Sequence, residues 1–213
     1  MTCGAAPAFA HPHVFANAEM ELVGDGHGRL MVLRNIWHMD ELFAATVLAE
    51  FDANKNGAFD EDELAAVARK VGQSVADYSF FTFLRTGDQE VALDPPASMG
   101  AAVRDGQLLI YFEMPLVTPF DVTTQPLAAS NFDETFYVAF DYAGEDSFVL
   151  SGLPDACRKT LVVPDEEEAA QKWAQDLYPD AESAPADGVD YAKLLAGRLE
   201  LDCTAAPMAT AKR

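Results

Sequence analysis

Basic residues are scarce in this sequence. Of its 213 residues, 14 are Lys or Arg and 35 are Asp or Glu, which gives a formal net charge of -21. Proteins that bind nucleic acid neutralise phosphates with Lys and Arg, so this balance argues against a nucleic-acid partner. Such an acidic surface favours cations as partners, although the same charge also serves solubility alone.

Long hydrophobic runs are missing as well. The longest candidate, residues 108–112, is far shorter than the roughly 18 apolar residues that a membrane-spanning helix needs. We therefore expect no membrane insertion. Half of the residues are nevertheless hydrophobic, which is enough for one sizeable core.

Signatures of catalysis are also absent. The sequence has no G-x-S-x-G elbow, no H-E-x-x-H helix, no Walker A loop and no glycine-rich dinucleotide fingerprint. It has only four histidines, so general acid–base chemistry has few candidates. We expect a protein that is not an enzyme.

The three cysteines bear on the compartment. Residues 1–10 end in Ala8-Phe9-Ala10, the small-x-small pattern of a signal-peptidase site, and we interpret them as a signal-peptide remnant. Removing that remnant with Cys3 leaves Cys157 and Cys203, which we predict to form a disulfide in a periplasmic protein. Closing this long loop would stabilise the fold by roughly 4 kcal/mol. The alternative is a pair of buried free thiols in a cytosolic protein.

Period-2 alternation of apolar and polar residues dominates the chain. Residues 13–23 alternate in this way, and a glycine-rich turn leads into residues 30–37, which indicates a hairpin. Further strands are predicted at 80–84, 90–93, 98–103, 108–114, 126–130, 135–142, 148–153, 158–163 and 198–203. We predict a mainly β, α+β fold: an antiparallel β-sandwich with a C-terminal helix over 165–177.

The period changes to a helical one over residues 40–72, where Phe43, Val47 and Phe51 stand four apart. We interpret this segment as a helical hairpin inserted into a single β-sandwich domain that covers residues 11–203. Residues 204–213 are predicted to be a disordered tail.

The two predicted helices flank a twelve-residue stretch, 52–63, with the spacing of an EF-hand loop. Such loops bind Ca²⁺ through oxygens at positions 1, 3, 5, 7, 9 and 12, with glycine at position 6 for a sharp turn. Gly57 occupies position 6. The predicted ligands are Asp52, Asn54, Asn56, the backbone carbonyl of Ala58, Asp60 and Glu63.

Two features of this loop narrow its role. Only three of the predicted ligands are carboxylates, which places the affinity near the weak end of the EF-hand range, roughly 10⁻⁵ to 10⁻³ M. The loop is present once, whereas sensor EF-hands generally work in pairs. We expect a structural Ca²⁺ site; the alternative is a loop that keeps its shape without a biologically relevant metal.

A second candidate metal site is His11-Pro12-His13. If cleavage follows Ala10, His11 becomes the N-terminus and adds an α-amine, and nitrogen ligands suit Ni²⁺, Co²⁺, Zn²⁺ or Cu²⁺. On an extended segment His11 and His13 point to the same face. Further ligands would have to come from elsewhere, and the available candidates are His27, His38, Asp40 and Glu41. The alternative is that both histidines are exposed polar residues at the start of a strand.

Several of these motifs together are similar to one known family. They are the His-Pro-His-Val-Phe segment after Ala-x-Ala, Trp37 after the hairpin, Asp40-Glu41, the 52–63 loop, Phe80-Phe81-Thr82-Phe83-Leu84, Phe136-Tyr137-Val138-Ala139-Phe140, Cys157 and Cys203. They resemble the bacterial domain-of-unknown-function family 1007, over residues 11–203.

Members of that family are commonly labelled as periplasmic components of an uncharacterised ABC-type transport system and often occur beside nickel/cobalt-type permeases. The resemblance therefore implies a non-enzymatic periplasmic accessory protein that handles transition-metal ions, with a membrane metal permease as partner. The alternative is a β-sandwich that is stabilised by Ca²⁺ and acts only as a protein-interaction module.

Overall fold

The protein is described here by a computed structural model that covers residues 12–165 and 193–204. The elements within these ranges follow in the order β1 (Val14–Gly24), β2 (Arg29–Met39), α1 (Glu41–Phe51), α2 (Glu61–Val75), β3 (Thr82–Thr86), β4 (Gln89–Glu90), β5 (Met99–Arg104), β6 (Gln107–Asp121), β7 (Leu127–Asn131), β8 (Val138–Asp141), β9 (Phe148–Ser151), β10 (Arg158–Val162) and β11 (Arg198–Asp202). Two short 3₁₀ helices, Ala76–Phe81 and Glu145–Ser147, precede β3 and β9.

The strands form two sheets. The first has the order β5-β6-β2-β1-β8, and β9 also pairs with β1; the second has the order β10-β11-β7-β3-β4. The prediction of a mainly β fold with few helices is confirmed. No helix in the described ranges is long and apolar enough to cross a bilayer.

The first sheet is antiparallel through β5, β6, β2 and β1, as expected for the predicted sandwich, but it also contains two parallel pairings that the sequence did not indicate. β8 and β9 follow each other along the same edge of β1, and both run parallel to it. Parallel pairing requires a crossover connection instead of a tight turn, and β8 and β9 lie far from β1 in the chain. Alternation along a single strand carries no information about the direction of its neighbour.

Alternation does fix which face of β1 is buried. Val14, Ala16, Ala18, Met20 and Leu22 are all buried, while the residues between them point outward. Because side chains alternate with period 2, a shift of one residue would bring the polar set into the core.

Two different layers cover the inner face of the first sheet. The second sheet covers one half, where Met20, Leu33 and Phe148 pack against Leu84 and Leu199. The helical pair covers the other half, where the apolar residues of the sheet pack against those of α1 and α2: Val14, Trp37, Ile110, Phe112, Val47, Val67 and Val75. Both helices lie within the 40–72 segment for which the helical period was predicted, except that α2 continues to Val75.

A buried polar cluster joins the two sheets between these halves of the core. The side-chain amide of Asn131 on β7 donates to Asn35 Oδ1 on β2 at 3.0 Å, and to Phe81 O and Thr82 Oγ1 at 3.1 Å. The Tyr142 hydroxyl donates to Asn131 Oδ1 at 3.1 Å and accepts from the Asn131 backbone N–H at 2.7 Å. Burial raises the pKa of the Tyr142 phenol, so it keeps its proton and remains a donor at neutral pH.

The strand predicted over 80–84 begins at Thr82, two residues later than expected. Ser79, Phe80 and Phe81 have positive φ values of 52°, 49° and 48°, in the left-handed region that side chains other than glycine rarely adopt. Phe81 is buried, and its ring centroid lies 6.0 Å from that of Trp37. Phe80 and Phe81 were predicted to lie in a strand because an apolar run in a buried left-handed turn has the same composition as an apolar run in a buried strand.

The predicted disulfide is confirmed, because Cys157 and Cys203 are bonded to each other. Cys157 directly precedes β10 and Cys203 directly follows β11, and the pairing of Arg158 with Asp202 sets them face to face. The Cys203 side chain is fully buried in the core shared by the two sheets. The predicted helix over 165–177 lies outside the described residues, apart from Asp165.

We expect Asn131→Ala to lower the free energy of unfolding by about 2 to 4 kcal/mol, because buried acceptors on both sheets lose their donor. The matched control is Asn17→Ala, at an exposed position on β1, which should stay within about 0.5 kcal/mol of the parent. Urea denaturation measures both. Equal losses in the two variants would contradict a role for Asn131 in joining the sheets.

Candidate functional site

The loop between α1 and α2 contains the six predicted Ca²⁺ ligands. Each helix starts from an aspartate cap: Asp40 accepts from the Phe43 N–H at the start of α1, and Asp60 accepts from the Glu63 N–H at the start of α2. Such caps satisfy N–H groups that have no partner within the helix. Because Asp60 belongs to the loop and also caps α2, the C-terminal end of the loop is fixed to the start of this helix.

Backbone N–H groups hold the side chains in the first half of the loop. Asp52 accepts from the Asn56 N–H at 3.0 Å and from the Gly57 N–H at 2.8 Å. Asn54 Oδ1 accepts from the Asn56 N–H at 2.9 Å, and Asn56 Oδ1 accepts from the Ala58 N–H at 2.8 Å. Gly57 takes a φ of +77°, as a residue without a Cβ does easily. These hydrogen bonds therefore hold the side-chain oxygens at loop positions 1, 3 and 5 against the backbone of the same turn.

Glu63 links the two ends of the loop. Glu63 is only 6% exposed. Its Oε1 accepts from the N–H of Ala53, which lies just after α1, at 2.8 Å. Oε2 accepts from the Asp60 N–H at 3.1 Å, which completes a reciprocal capping box with Asp60. The carboxylate at position 12 therefore joins the end of α1 to the start of α2.

The donor set fits a hard cation. All six predicted ligands offer oxygen, as Ca²⁺ prefers, and none offers the nitrogen or sulfur typical of transition-metal sites. Asp60 Oδ2 accepts from Asn54 Nδ2 at 2.9 Å, so positions 3 and 9 are already in contact. Within residues 12–165 and 193–204, no three His, Cys, Asp or Glu side chains converge as a metal-binding group. Coordination by Asp60 and Glu63 would therefore require them to exchange some of these hydrogen bonds.

The structure places His13 at the start of β1 but does not bring the other candidate ligands to it. The His13 N–H donates to Tyr137 O at 2.9 Å, and the two rings lie 5.2 Å apart. His38 pairs with Asn17 across β1 and β2, so it stands about four residues, or roughly 13 Å, farther along β1. His11 lies outside the described residues.

The remaining candidates have other roles in the structure. His38 Nε2 lies 3.1 Å from Glu19 Oε1, without the alignment of a hydrogen bond, and its Nδ1 lies 3.3 Å from Gln107 Oε1. Both oxygens of Asp40 are held by backbone N–H groups, one of them from Phe15 on β1. His27 lies in the turn that Asp25 organises by accepting from its N–H.

Sequence reasoning missed a large cavity between the helical pair and the first sheet. Its volume is about 710 Å³. Of the residues in α1, only Val47 is buried, so the apolar side chains of this helix do not pack fully against the sheet. The available signal was that α1 carries apolar residues around most of its circumference, with Glu41, Thr46 and Glu50 as its polar side chains, which is unusual for a surface helix.

Comparison with known proteins identifies the family. A family model described as "Protein of unknown function (DUF1007)" matches residues 1–203. The chain belongs to the DUF1007 family. The resemblance found in the sequence motifs is confirmed at this level.

Two relatives of this DUF1007 member carry descriptions of their own. An "Uncharacterized protein" of Haemophilus influenzae is 25% identical over 169 residues, which cover 79% of this chain and 80% of the relative. An "Uncharacterized 15.5 kDa protein in trpE 3'region" of Spirochaeta aurantia is 32% identical over 91 residues, 43% of this chain and 64% of the relative. Neither description names a ligand or partner, so the calcium site and the transport association stay predictions.

We expect Gly57→Ala to destabilise the protein by about 1 to 2 kcal/mol, because alanine resists the left-handed conformation at this position. No atom lies within 4 Å of a Cβ built there, so backbone strain alone would cause the loss. The matched control is Gly144→Ala, where the backbone is extended and the space is equally open. Thermal unfolding compares the two. A loss at Gly144 as large as that at Gly57 would contradict this account of the loop.

Proposed function

We propose that this DUF1007 protein is a non-enzymatic periplasmic accessory protein of transition-metal transport with a structural Ca²⁺ site in the 52–63 loop. The observation that carries the Ca²⁺ part is the arrangement of Glu63, which ties the end of α1 to the start of α2 from the position of a bidentate EF-hand ligand. Asp52, Asn54, Asn56, the carbonyl of Ala58, Asp60 and Glu63 would hold the ion.

A structural role for Ca²⁺ follows from where the loop stands. The two helices cover half of the inner face of the first sheet, and the loop is the connection between them. Neutralising Asp52, Asp60 and Glu63 at once would remove the repulsion among three carboxylates in one short segment. Binding would then stabilise the helical pair over the sheet.

Export to the periplasm is supported by the disulfide between Cys157 and Cys203, because such bonds persist mainly in oxidising compartments. The transition-metal part rests on the family resemblance and on His13. The His13 side chain is exposed at the beginning of β1, beside the Tyr137 ring, and His11 stands two positions before it in the sequence.

We expect Ca²⁺ to raise the melting temperature of the purified protein. At free Ca²⁺ about 100-fold above the dissociation constant, the gain is about 2.7 kcal/mol, or roughly 5 to 10 °C. Glu63→Ala should lose this difference between Ca²⁺ and EGTA, whatever its baseline, because the ligand at position 12 is gone. Glu61→Ala, at an exposed position in the same helical turn, should keep it. Equal melting temperatures of the parent protein in Ca²⁺ and in EGTA would sink the calcium proposal.

We expect the mature protein to bind Ni²⁺, Co²⁺, Cu²⁺ or Zn²⁺ with micromolar or tighter affinity in a calorimetric titration. A His11→Ala/His13→Ala double variant should bind at least about tenfold more weakly, because two nitrogen ligands are lost. His27→Ala is the matched control, since His27 is an exposed turn residue. Failure of the parent protein to bind any of the four ions at micromolar concentration would rule out the transition-metal role.

A further inference from the structure

The cavity under the helical pair has the features of a ligand-binding site. Its volume of about 710 Å³ lies within the range of roughly 300 to 1,000 Å³ that is typical of small-molecule pockets. The sheet forms one wall with Val14, Trp37, Met39 and Ile110. These residues come from β1, β2 and β6, so this wall is held by the hydrogen-bonded centre of the first sheet.

The helices form the opposite wall with two matching stripes. On α1, Phe43, Val47 and Phe51 recur every four residues, and on α2 Val67, Val71 and Val75 do the same. Residues spaced in this way share one helix face, and both of these faces line the cavity. Phe43, Phe51 and Val71 are only partly buried although they belong to the core-facing side. Water inside a space lined by apolar side chains finds few hydrogen-bond partners. An apolar ligand that displaced this water would therefore be favoured by the hydrophobic effect.

Most polar groups in the cavity wall are already bonded within the protein. The buried carboxylate of Asp133 accepts from the N–H groups of Thr135, Tyr137 and Val138 and from the Thr135 hydroxyl. The Ser74 hydroxyl donates to a backbone carbonyl one turn earlier in α2. These groups shape the wall and are not available to a ligand without losing a bond.

Lys70 and Glu50 carry the charged groups that remain in the cavity wall. The indole N–H of Trp37, a residue only 2% exposed, has no hydrogen-bond partner in the described part of the chain. Because this nitrogen is itself fully buried, it does not open onto the cavity and offers no contact to a ligand's head group. The Lys70 ammonium, on α2, forms no ion pair with another described residue. Glu50, on α1, is the exposed acceptor.

We propose that this cavity binds an amphipathic carboxylate, with its apolar chain between the two helical stripes and the sheet and its carboxylate near Lys70. A carboxylate is an acceptor only, and it complements the charge and the three N–H donors of the Lys70 ammonium. The apolar chain replaces water along the stripes of α1 and α2. This site uses none of the predicted metal ligands, so it stands independently of the proposed metal binding.

The test uses three probes with one tail and different heads, dodecanoate, dodecanol and dodecyltrimethylammonium, each below its micelle-forming concentration. Binding to the full-length mature protein is followed by calorimetry. It is also followed by Trp37 fluorescence in a Trp173→Phe background, where Trp37 is the one tryptophan left in the sequence. We expect saturable binding of dodecanoate, weaker binding of dodecanol, and the weakest binding of the cationic probe.

Charge variants test the position of the head group. Lys70→Ala should weaken dodecanoate binding about fivefold, as expected for the loss of a partly solvated ion pair, and leave dodecanol unchanged. Glu50→Gln should tighten dodecanoate binding, because one like charge is removed. Arg69→Ala is the matched control. Arg69 is the neighbouring cation on α2, but it lines a separate cavity against β5, so its loss should change nothing.

Filling the cavity tests its location. Val71→Trp and, at the exposed end of the same stripe, Ser74→Trp should abolish binding, whereas Ala65→Trp on the other side of α2 should not. Circular dichroism confirms that each variant is folded, and the pair of blocking variants guards against misfolding of one. The proposal is overturned if no probe gives saturable binding, if the cationic probe binds more tightly than dodecanoate, or if both folded blocking variants bind as the parent does.

Discussion

Much of this structure depends on the side chain of Asn131. It lies where the second sheet and the helical pair meet over the first sheet, and it holds acceptors from both sides: Asn35 from β2, Thr82 from β3 and the carbonyl of Phe81. Apolar packing is non-directional and would tolerate a sliding of one sheet over the other. A buried amide with three defined acceptors does not tolerate it, because every shift leaves polar groups unpaired in the core.

The same cluster positions the helical pair. The carbonyl that Asn131 binds belongs to Phe81, the last residue of the 3₁₀ helix that follows α2, and Phe81 packs against Trp37 and Phe140 in the floor of the cavity. The far end of the pair is tied together by Glu63 in the 52–63 loop. The helical pair is therefore held at both ends, and the cavity lies between it and the sheet.

Local features of the fold could be predicted from the sequence, because they are encoded by neighbouring residues. The helical period indicated both helices, glycine at position 6 indicated the turn in the loop, and the parity of the cysteines indicated the disulfide. Features that depend on distant pairing could not be predicted in this way. Nothing in the composition of β8 or β9 shows that they lie parallel to β1, and Asn131 looks like any surface asparagine until two sheets enclose it.

The same difference between local and distant features separates the predicted Ca²⁺ loop from the cavity. The predicted Ca²⁺ ligands are contiguous in the chain, so their spacing alone was sufficient to predict a site, whereas the cavity is assembled from β1, β2, β6, both helices and the segment before β8. Its apolar stripes resemble ordinary core-facing stripes. The segment that joins α2 to β3 runs through the left-handed residues Ser79 to Phe81 and is bonded to Asn131, and no local pattern reveals either feature.

The bond between Cys157 and Cys203 has a consequence for how the chain can be cut. It encloses a sequence separation of 46 residues that includes all of β10 and β11. A protease that cleaves once inside this ring opens it without releasing a fragment, because the disulfide still joins the two pieces. Strand β11, which lies between β10 and β7 in the second sheet, then stays covalently attached to the rest of the protein. Loss of that strand requires both a cut and a reductant, so in an oxidising compartment a nicked molecule keeps its second sheet complete.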